Sequence, residues 1–261
     1  MMKVTVIIPA RYESSRYPGK PLAEVSGKIA IRWTYEAVQK IRGVTEIYVA
    51  TDDRRIQTAV EAFGGAVLMT SETCRNGTER VADALTRCPT EPEIVVNVQG
   101  DALLTPPWFV EELISFLQSE PDAEMATPIL KCDVESYRRF LNDRRHGRVG
   151  ATTVVTDARG RALYFSKEVI PFLPQEEMLA TVPVYHHVGI YAYRPAVLKE
   201  YCRWTPGPLE KAEQLEQLRF LEQGRNVYAV EVDARGFEFW ELNNPEDVQI
   251  IESMIEKQRG R

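Results

Sequence analysis

Directly behind the aliphatic run at residues 4–9, the stretch RYESSRYPGK gathers three cations, Arg11, Arg16 and Lys20, with the hydroxyls of Ser14 and Ser15 and a single glycine. Cations and backbone N–H groups grouped in this way suit a polyanion such as a triphosphate, because charge-assisted hydrogen bonds to phosphate oxygens are the strong ones. The spacing is neither GxxxxGK[ST] nor GxGxxG, which excludes both of those phosphate loops. Further along, the run IVVNVQGD ends in Asp101, a carboxylate suited to a hard cation such as magnesium. Each feature alone has a plainer reading: a basic loop is often solvated surface, and an Asp after a strand often forms a turn or caps a helix. Together they point to a nucleoside triphosphate and a metal.

Holding these groups together requires an ordered scaffold. Val4 to Pro9 is a continuous apolar, β-rich run, the form of a strand covered on both faces. Ile31, Tyr35, Val38 and Ile41 recur at three- and four-residue spacing and predict a helix over 29–41. EIYVATDD and AVLMTS read as strands around the helix RIQTAVEAFGG, which its glycines close. A helix over 79–87, the strand EIVVNVQGD and a helix over 107–119 continue the alternation, which predicts βαβ units and a mostly parallel sheet. In such sheets ligands lie beyond the carboxyl ends of the strands, where the basic stretch and Asp101 both fall.

After Met125 the rhythm changes. MATPIL, TTVVTD, RALYFSK and HHVGIYAYR read as strands with few helices between them, and DARG at 157–160 as a hairpin turn. Helices over 195–201 and 209–223, the strand VYAVEV and a helix from about 245 complete the chain. The expectation is one domain over 1–261, with about 125–195 forming a mixed or antiparallel lobe.

Composition excludes several classes. A net charge of −6 argues against nucleic acid as the main partner, and no apolar run reaches the roughly 20 residues that span a bilayer. The N-terminal MMKVTVIIPARYE lacks a small-residue cleavage signature, so a cytoplasmic protein is expected. Cys74, Cys88, Cys132 and Cys202 show no CxxC pair or His cluster, so they are expected to be reduced and structural.

The ordered stretches Pro9-Ala10-Arg11, Ser14-Ser15-Arg16, Pro18-Gly19-Lys20-Pro21-Leu22, Ala50-Thr51-Asp52-Asp53, Asn76-Gly77-Thr78-Glu79-Arg80 and Val96 to Asp101 resemble the motifs of the 3-deoxy-manno-octulosonate cytidylyltransferase family. ALYFSKEVIP, HHVGIYAYR and PLEKAEQLEQLRFLEQG continue the resemblance over most of the chain. It implies a three-layer Rossmann-like nucleotidyltransferase fold and a dimeric, magnesium-dependent enzyme of lipopolysaccharide precursor synthesis. Such an enzyme joins CTP to a 2-keto-3-deoxy sugar acid, releasing pyrophosphate.

By the same resemblance, Arg11, Ser14, Ser15, Arg16 and Lys20 hold the phosphates, with Arg16 and Lys20 serving the leaving pyrophosphate and Asp101 completing the catalytic set. Asn76, Thr78, Arg80 and Gln99 line the nucleotide site. Lys167, His187, Tyr191, Glu216 and Gln217 receive the sugar acid, and Asp101 and the position of Asn243 hold magnesium. Read only as a pattern, His187 also fits a packed strand residue, and Glu216 and Gln217 the solvated face of a helix whose apolar stripe is Leu215, Leu218 and Leu221.

The chain departs from the family pattern at definite points. Ala102 and Leu103 stand where the family has Glu-Pro, and Asn243 where it has the second metal-binding Asp, with Glu241 expected on the same strand face. Thr152-Thr153, His186 and Lys167 replace a Val-Lys pair, an Arg and an Arg. Losing one forked guanidinium and turning another into a point charge suggests an altered acceptor. A different acidic acceptor, another ulosonic acid or a phosphonate, and a non-catalytic nucleotide-binding relative are the alternatives.

Overall fold

The computed structural model describes residues 2–14, 16–149, 151–237 and 240–259. Its parallel half follows from the alternation in the sequence. Strand β1 (Val4–Pro9) pairs in parallel with β4 (Glu46–Thr51) and β6 (Ile94–Val98), and β5 (Val67–Met69) pairs in parallel with β4. All side chains of β1 and β6 are buried, as expected for strands covered on both faces. Between β1 and α1 (Ala30–Val38) a two-stranded ribbon, β2 (Glu24–Val25) with β3 (Lys28–Ile29), closes the basic loop.

Two apolar layers clamp this sheet. Ile31, Tyr35 and Val38 of α1, Ile56 and Val60 of α2 (Arg54–Ala62), and Phe109, Val110 and Leu113 of α4 (Pro107–Ser119) pack on one face. On the other face lie α3 (Gly77–Leu85), α6 (Pro195–Tyr201) and α8 (Leu218–Glu222), through Val81, Leu198, Tyr201, Leu218 and Phe220. The last helix, α9 (Asp247–Arg259), sets Ile251 and Ile255 against Leu103 and Leu104 just beyond Asp101.

The expected mixed lobe continues the same sheet. Strand β7 (Met125–Lys131) pairs antiparallel with β10 (Tyr185–His187) and β11 (Ile190–Tyr193) and in parallel with β12 (Val227–Glu231). β11 joins the two halves by pairing antiparallel with β6, Tyr191 opposite Asn97. The hairpin of β8 (Thr153–Thr156) and β9 (Ala162–Ser166) forms the edge, turning at Asp157 to Gly160 as the sequence predicts.

Two elements depart from the sequence reading. HHVGIYAYR is two strands, because Val188 and Gly189 change sheet neighbours between them. A helix, α5 (Val134–Arg145), stands where few helices were expected. Its sequence is strongly polar and buries only Tyr137 and Phe140, which pack against Leu173, Leu179 and Val184, so its apolar stripe is too narrow to read. Asp133 starts it, accepting from the Ser136 N–H at 2.7 Å. All four cysteines are free thiols.

Candidate active site

β1 and β6 are neighbours with Ile7 opposite Asn97, so the basic stretch and Gln99 to Asp101 leave the sheet side by side. The loop after β1 folds back through Gly19, whose N–H donates to the Tyr12 carbonyl at 2.8 Å. Gly19 has φ +73°, and a Cβ there would stand 3.0 Å from the Tyr12 ring, so glycine is required. The turn delivers the Lys20 ammonium onto Asp101 Oδ2 as a part-buried ion pair. Asp101 Oδ1 accepts from no donor among the described residues. Arg11 is exposed and has no partner among the described residues, and Ser14 Oγ accepts from the Tyr17 N–H at 3.4 Å. Ser15 lies outside the described residues.

The far end of the chain returns to this point. Leu242 N–H donates to the Asp101 carbonyl at 3.0 Å, and Arg16 Nη2 donates to Asn243 Oδ1 at 2.7 Å. Glu241 and Asn243 lie in an irregular loop and not on the expected strand. Asp247 shapes that loop, accepting from the N–H groups of Asn243 and Asn244 and from Trp240 Nε1. The loop nevertheless brings the pair together, with Asn243 Nδ2 3.4 Å from Glu241 Oε2. Glu241 is exposed, with Oε1 on the side of Gly189, where a Cβ would stand 3.7 Å from it. Desolvation there and then the like charge of Asp101 push that carboxyl up to about 7, against the pull of Asn243, Lys20 and Arg16.

Opposite the basic loop is the start of α3. Asn76 caps it, its Oδ1 accepting from the Glu79 N–H at 2.8 Å, so the helix begins at Gly77, earlier than the periodicity predicts. The Gln99 amide lies across this turn so closely that a Cβ on Gly77 would meet its Nε2 at 3.0 Å. Thr78 faces the acceptor side: its N–H donates to Glu216 Oε2 at 3.0 Å and its hydroxyl meets that of Tyr193 at 3.1 Å. Arg80 is buried, and its guanidinium is engaged by Asp52 Oδ2 and Thr70 Oγ1 at 2.9 and 2.7 Å. It therefore ties the ends of β4 and β5 and presents no free cation, a different position from the one the motif implies.

The helix expected over 209–223 is two short helices, α7 (Pro208–Glu213) and α8, because Gln214 adopts φ +54°. Glu216 and Gln217 sit in that break and face inward, not on a solvated helix face. Gln217 is 2% exposed; its Oε1 accepts from the Tyr191 hydroxyl at 3.2 Å, while its Nε2 is buried without a partner. Burial raises the Glu216 carboxyl above its ordinary range, partly offset by the Thr78 N–H. Arg219 anchors the break, donating to Glu210 at 2.6 Å and Glu79 at 3.0 Å with its guanidinium 4.1 Å from the Tyr201 ring centre.

His187 is buried; its Nε2 meets Thr127 Oγ1 at 2.9 Å, and its ring packs on Phe165 and Tyr191. Desolvation, then neighbouring His186, push it down to about 3, so it is a neutral hydrogen-bonding group at neutral pH. Lys167 is half-buried just after β9, its N–H donating to Glu213 Oε2 at 2.9 Å and its amine without a partner among the described residues. The Thr78 bond to Glu216 thus joins the turn at the start of α3 to the break that holds Gln217.

Sequence reasoning missed Glu79, Glu210, Arg219 and Thr127, which touch no opening but fix those that do. A readable signal was Arg219 itself, a charge inside the apolar stripe of Leu215, Leu218 and Leu221. Among the described residues no three His, Cys, Asp or Glu side chains converge as a ready metal cage. The donors near the Lys20 contact are hard oxygens of Asp101, Glu241 and Asn243, which fit magnesium if substrate oxygens and water complete its shell. The Lys20 ammonium already stands in for a cation on Asp101.

Comparison with known proteins gives one consistent result. Residues 5–227 match a family model described as cytidylyltransferase. The chain is 43% identical to the 3-deoxy-manno-octulosonate cytidylyltransferase of Maricaulis maris, covering 97% of both proteins. It is 42% identical to the 8-amino-3,8-dideoxy-manno-octulosonate cytidylyltransferase of Shewanella piezotolerans, covering 97% of this chain and 99% of that one. A solved CMP:2-keto-3-deoxy-manno-octonic acid synthetase complexed with CTP superposes with a TM-score of 0.86 at 34% identity, over 98% of this chain and 99% of that one.

Proposed function

The chain belongs to the cytidylyltransferase family, and we propose that it transfers CMP from CTP to 3-deoxy-manno-octulosonate or a closely related 2-keto-3-deoxy sugar acid, releasing pyrophosphate. The observation that carries this reading is the meeting of Lys20 with Asp101 where β1 and β6 end, with Arg16 beside them. A cationic arm and a carboxylate at adjacent strand ends are what transfer of a nucleotidyl group needs: charge neutralisation for a leaving pyrophosphate and a hard oxygen for the metal.

In this reading a hydroxyl of the sugar acid attacks the α-phosphorus of CTP, its oxygen forming the new P–O bond as the bond to pyrophosphate breaks and the hydroxyl proton passes to solvent. Lys20 exchanges Asp101 for phosphate oxygens, Arg16 meets them with the N–H groups that its bond to Asn243 leaves unengaged, and Arg11 adds a third cation from the loop mouth. Gln99, against Gly77, meets the base side of the nucleotide. Magnesium, held by Asp101, neutralises phosphate charge when bound. Lys167 provides the cation for the acceptor carboxylate, since neutral His187 offers only hydrogen bonding. Gln217 Nε2 donates to an acceptor oxygen, which removes the cost of a buried unpaired donor, about 1–3 kcal/mol, and Tyr191 Oη, its proton already donated to Gln217, accepts from an acceptor hydroxyl.

The same reading makes the protein a cytoplasmic homodimer in lipopolysaccharide precursor synthesis. No helix among the described residues is long and apolar enough to cross a membrane. The 8-amino acceptor is a second reading, favoured by the near-equal identity to relatives named for it. Pyrophosphate release from CTP with each acid in turn separates the two, and absence of release with either acid contradicts both. Asn243 motivates a third reading, nucleotide binding without turnover. A near-inactive parent rescued strongly by Asn243→Asp supports it, and a parent that turns over rapidly excludes it.

A further inference from the structure

We propose that Glu241, and not Asn243, supplies the second protein oxygen of the metal site, an inference that rests on the magnesium-dependent reading above. Asn243 has a single side-chain oxygen, and Arg16 Nη2 occupies it at 2.7 Å. An ion on that oxygen at about 2.1 Å would stand directly beside a guanidinium. The other end of the amide is a donor and has nothing to offer a cation; it points to Glu241 Oε2 at 3.4 Å.

Glu241 has what Asn243 lacks. A carboxylate carries two oxygens and a formal charge, and Glu241 Oε1 accepts from no donor among the described residues. Asp101 is in the matching state, with Lys20 on Oδ2 and Oδ1 unengaged. The backbone brings the two residues together, since the N–H of Leu242, next to Glu241, donates to the Asp101 carbonyl at 3.0 Å. Asn243 then takes a different role, orienting Glu241 through its amide N–H while holding Arg16 at the site edge. Magnesium is held through one or two carboxylates plus substrate phosphates, and two unengaged carboxylate oxygens fit that demand.

The test uses the full-length protein with CTP and no sugar acid, so that no turnover enters. Binding of Mn2+, a paramagnetic hard cation, is read from water-proton relaxation for the parent and for Glu241→Gln, Asn243→Ala and Asp101→Asn. Unchanged melting temperatures establish that each variant is folded, and Glu241→Asp serves as a charge-conserving second variant. Glu241→Gln is expected to weaken Mn2+ binding at least tenfold, as is Asp101→Asn, while Asn243→Ala stays within threefold. Parent-like binding in Glu241→Gln with a tenfold loss in Asn243→Ala overturns the inference and leaves the magnesium reading standing. Parent-like binding in both Asp101→Asn and Glu241→Gln overturns the magnesium reading itself, and the inference with it.

Discussion

Arg16 and Asn243, 227 residues apart in the chain, meet through an Nη2 to Oδ1 hydrogen bond of 2.7 Å. With the Leu242 to Asp101 backbone bond, this contact closes the C-terminal loop over the exit of β1. The basic loop after β1 is therefore anchored by the last part of the chain, and under the proposed function a triphosphate draws Lys20 off Asp101 while Arg16 keeps Asn243.

Removing the Lys20 charge tests that exchange. Lys20→Met is expected to lower kcat with CTP by about 10²–10³, the usual loss when one charge-stabilising donor is removed. Stability should change little, because the pair is only part-buried and Asp101 retains access to water. Steady-state kinetics beside thermal melting checks both halves of the prediction.

His187 predicts a pH dependence of stability. Its folded value of about 3 lies below the unfolded value of about 6.5, so the unfolded chain binds the extra proton between them. The stabilisation is fully present above about pH 6.5 and is lost as pH falls toward 3. Urea unfolding at pH 7 and 4.5 should show a loss that is smaller in His187→Gln than in the parent by on the order of 2 kcal/mol, the remainder including His186, which burial pushes down to about 4. The same slope in that variant would mean that other groups cause it.

Arg219 holds two buried carboxylates, those of Glu79 and Glu210. Arg219→Met leaves them without this cation and should cost about 3–5 kcal/mol, which for a chain of this size lowers Tm by roughly 10 °C. Differential scanning calorimetry reads the shift directly. A melting point within 2 °C of the parent would show that the network adds little.

Gln217→Leu separates packing from recognition. Leu removes the buried, unpartnered Nε2 but also the oxygen that accepts from the buried Tyr191 hydroxyl, so the two effects oppose each other and Tm should fall by no more than a few degrees. If the amide receives an acceptor oxygen, KM for the sugar acid should rise at least tenfold, with KM for CTP within twofold. A fall in Tm with both KM values unchanged would assign Gln217 a structural role only.

The parallel half was legible because βαβ units impose a strong pattern, and the bounds of α4 and α6 follow from their prolines. The basic loop and Asp101 were legible because strand ends in such sheets are the expected places for chemistry. What could not be read was set by tertiary contact. Arg80 is placed at the nucleotide site by its motif, yet Asp52 and Thr70, brought in from the ends of two other strands, engage it. Glu216 and Gln217 read as helix surface because the left-handed turn at Gln214 gives no glycine signal. Glu241 gained its place through a loop that Asp247 folds, a contact that strand periodicity does not encode.

The most direct test of the account is pyrophosphate release by the purified full-length protein with CTP, Mg2+ and 3-deoxy-manno-octulosonate, run beside the 8-amino acid and a no-acceptor control. The account predicts release that requires CTP, metal and one of the two sugar acids together, with the matching CMP-sugar formed in equal amount. Absence of acceptor-dependent pyrophosphate with both acids, from folded protein that still binds CTP, would contradict it.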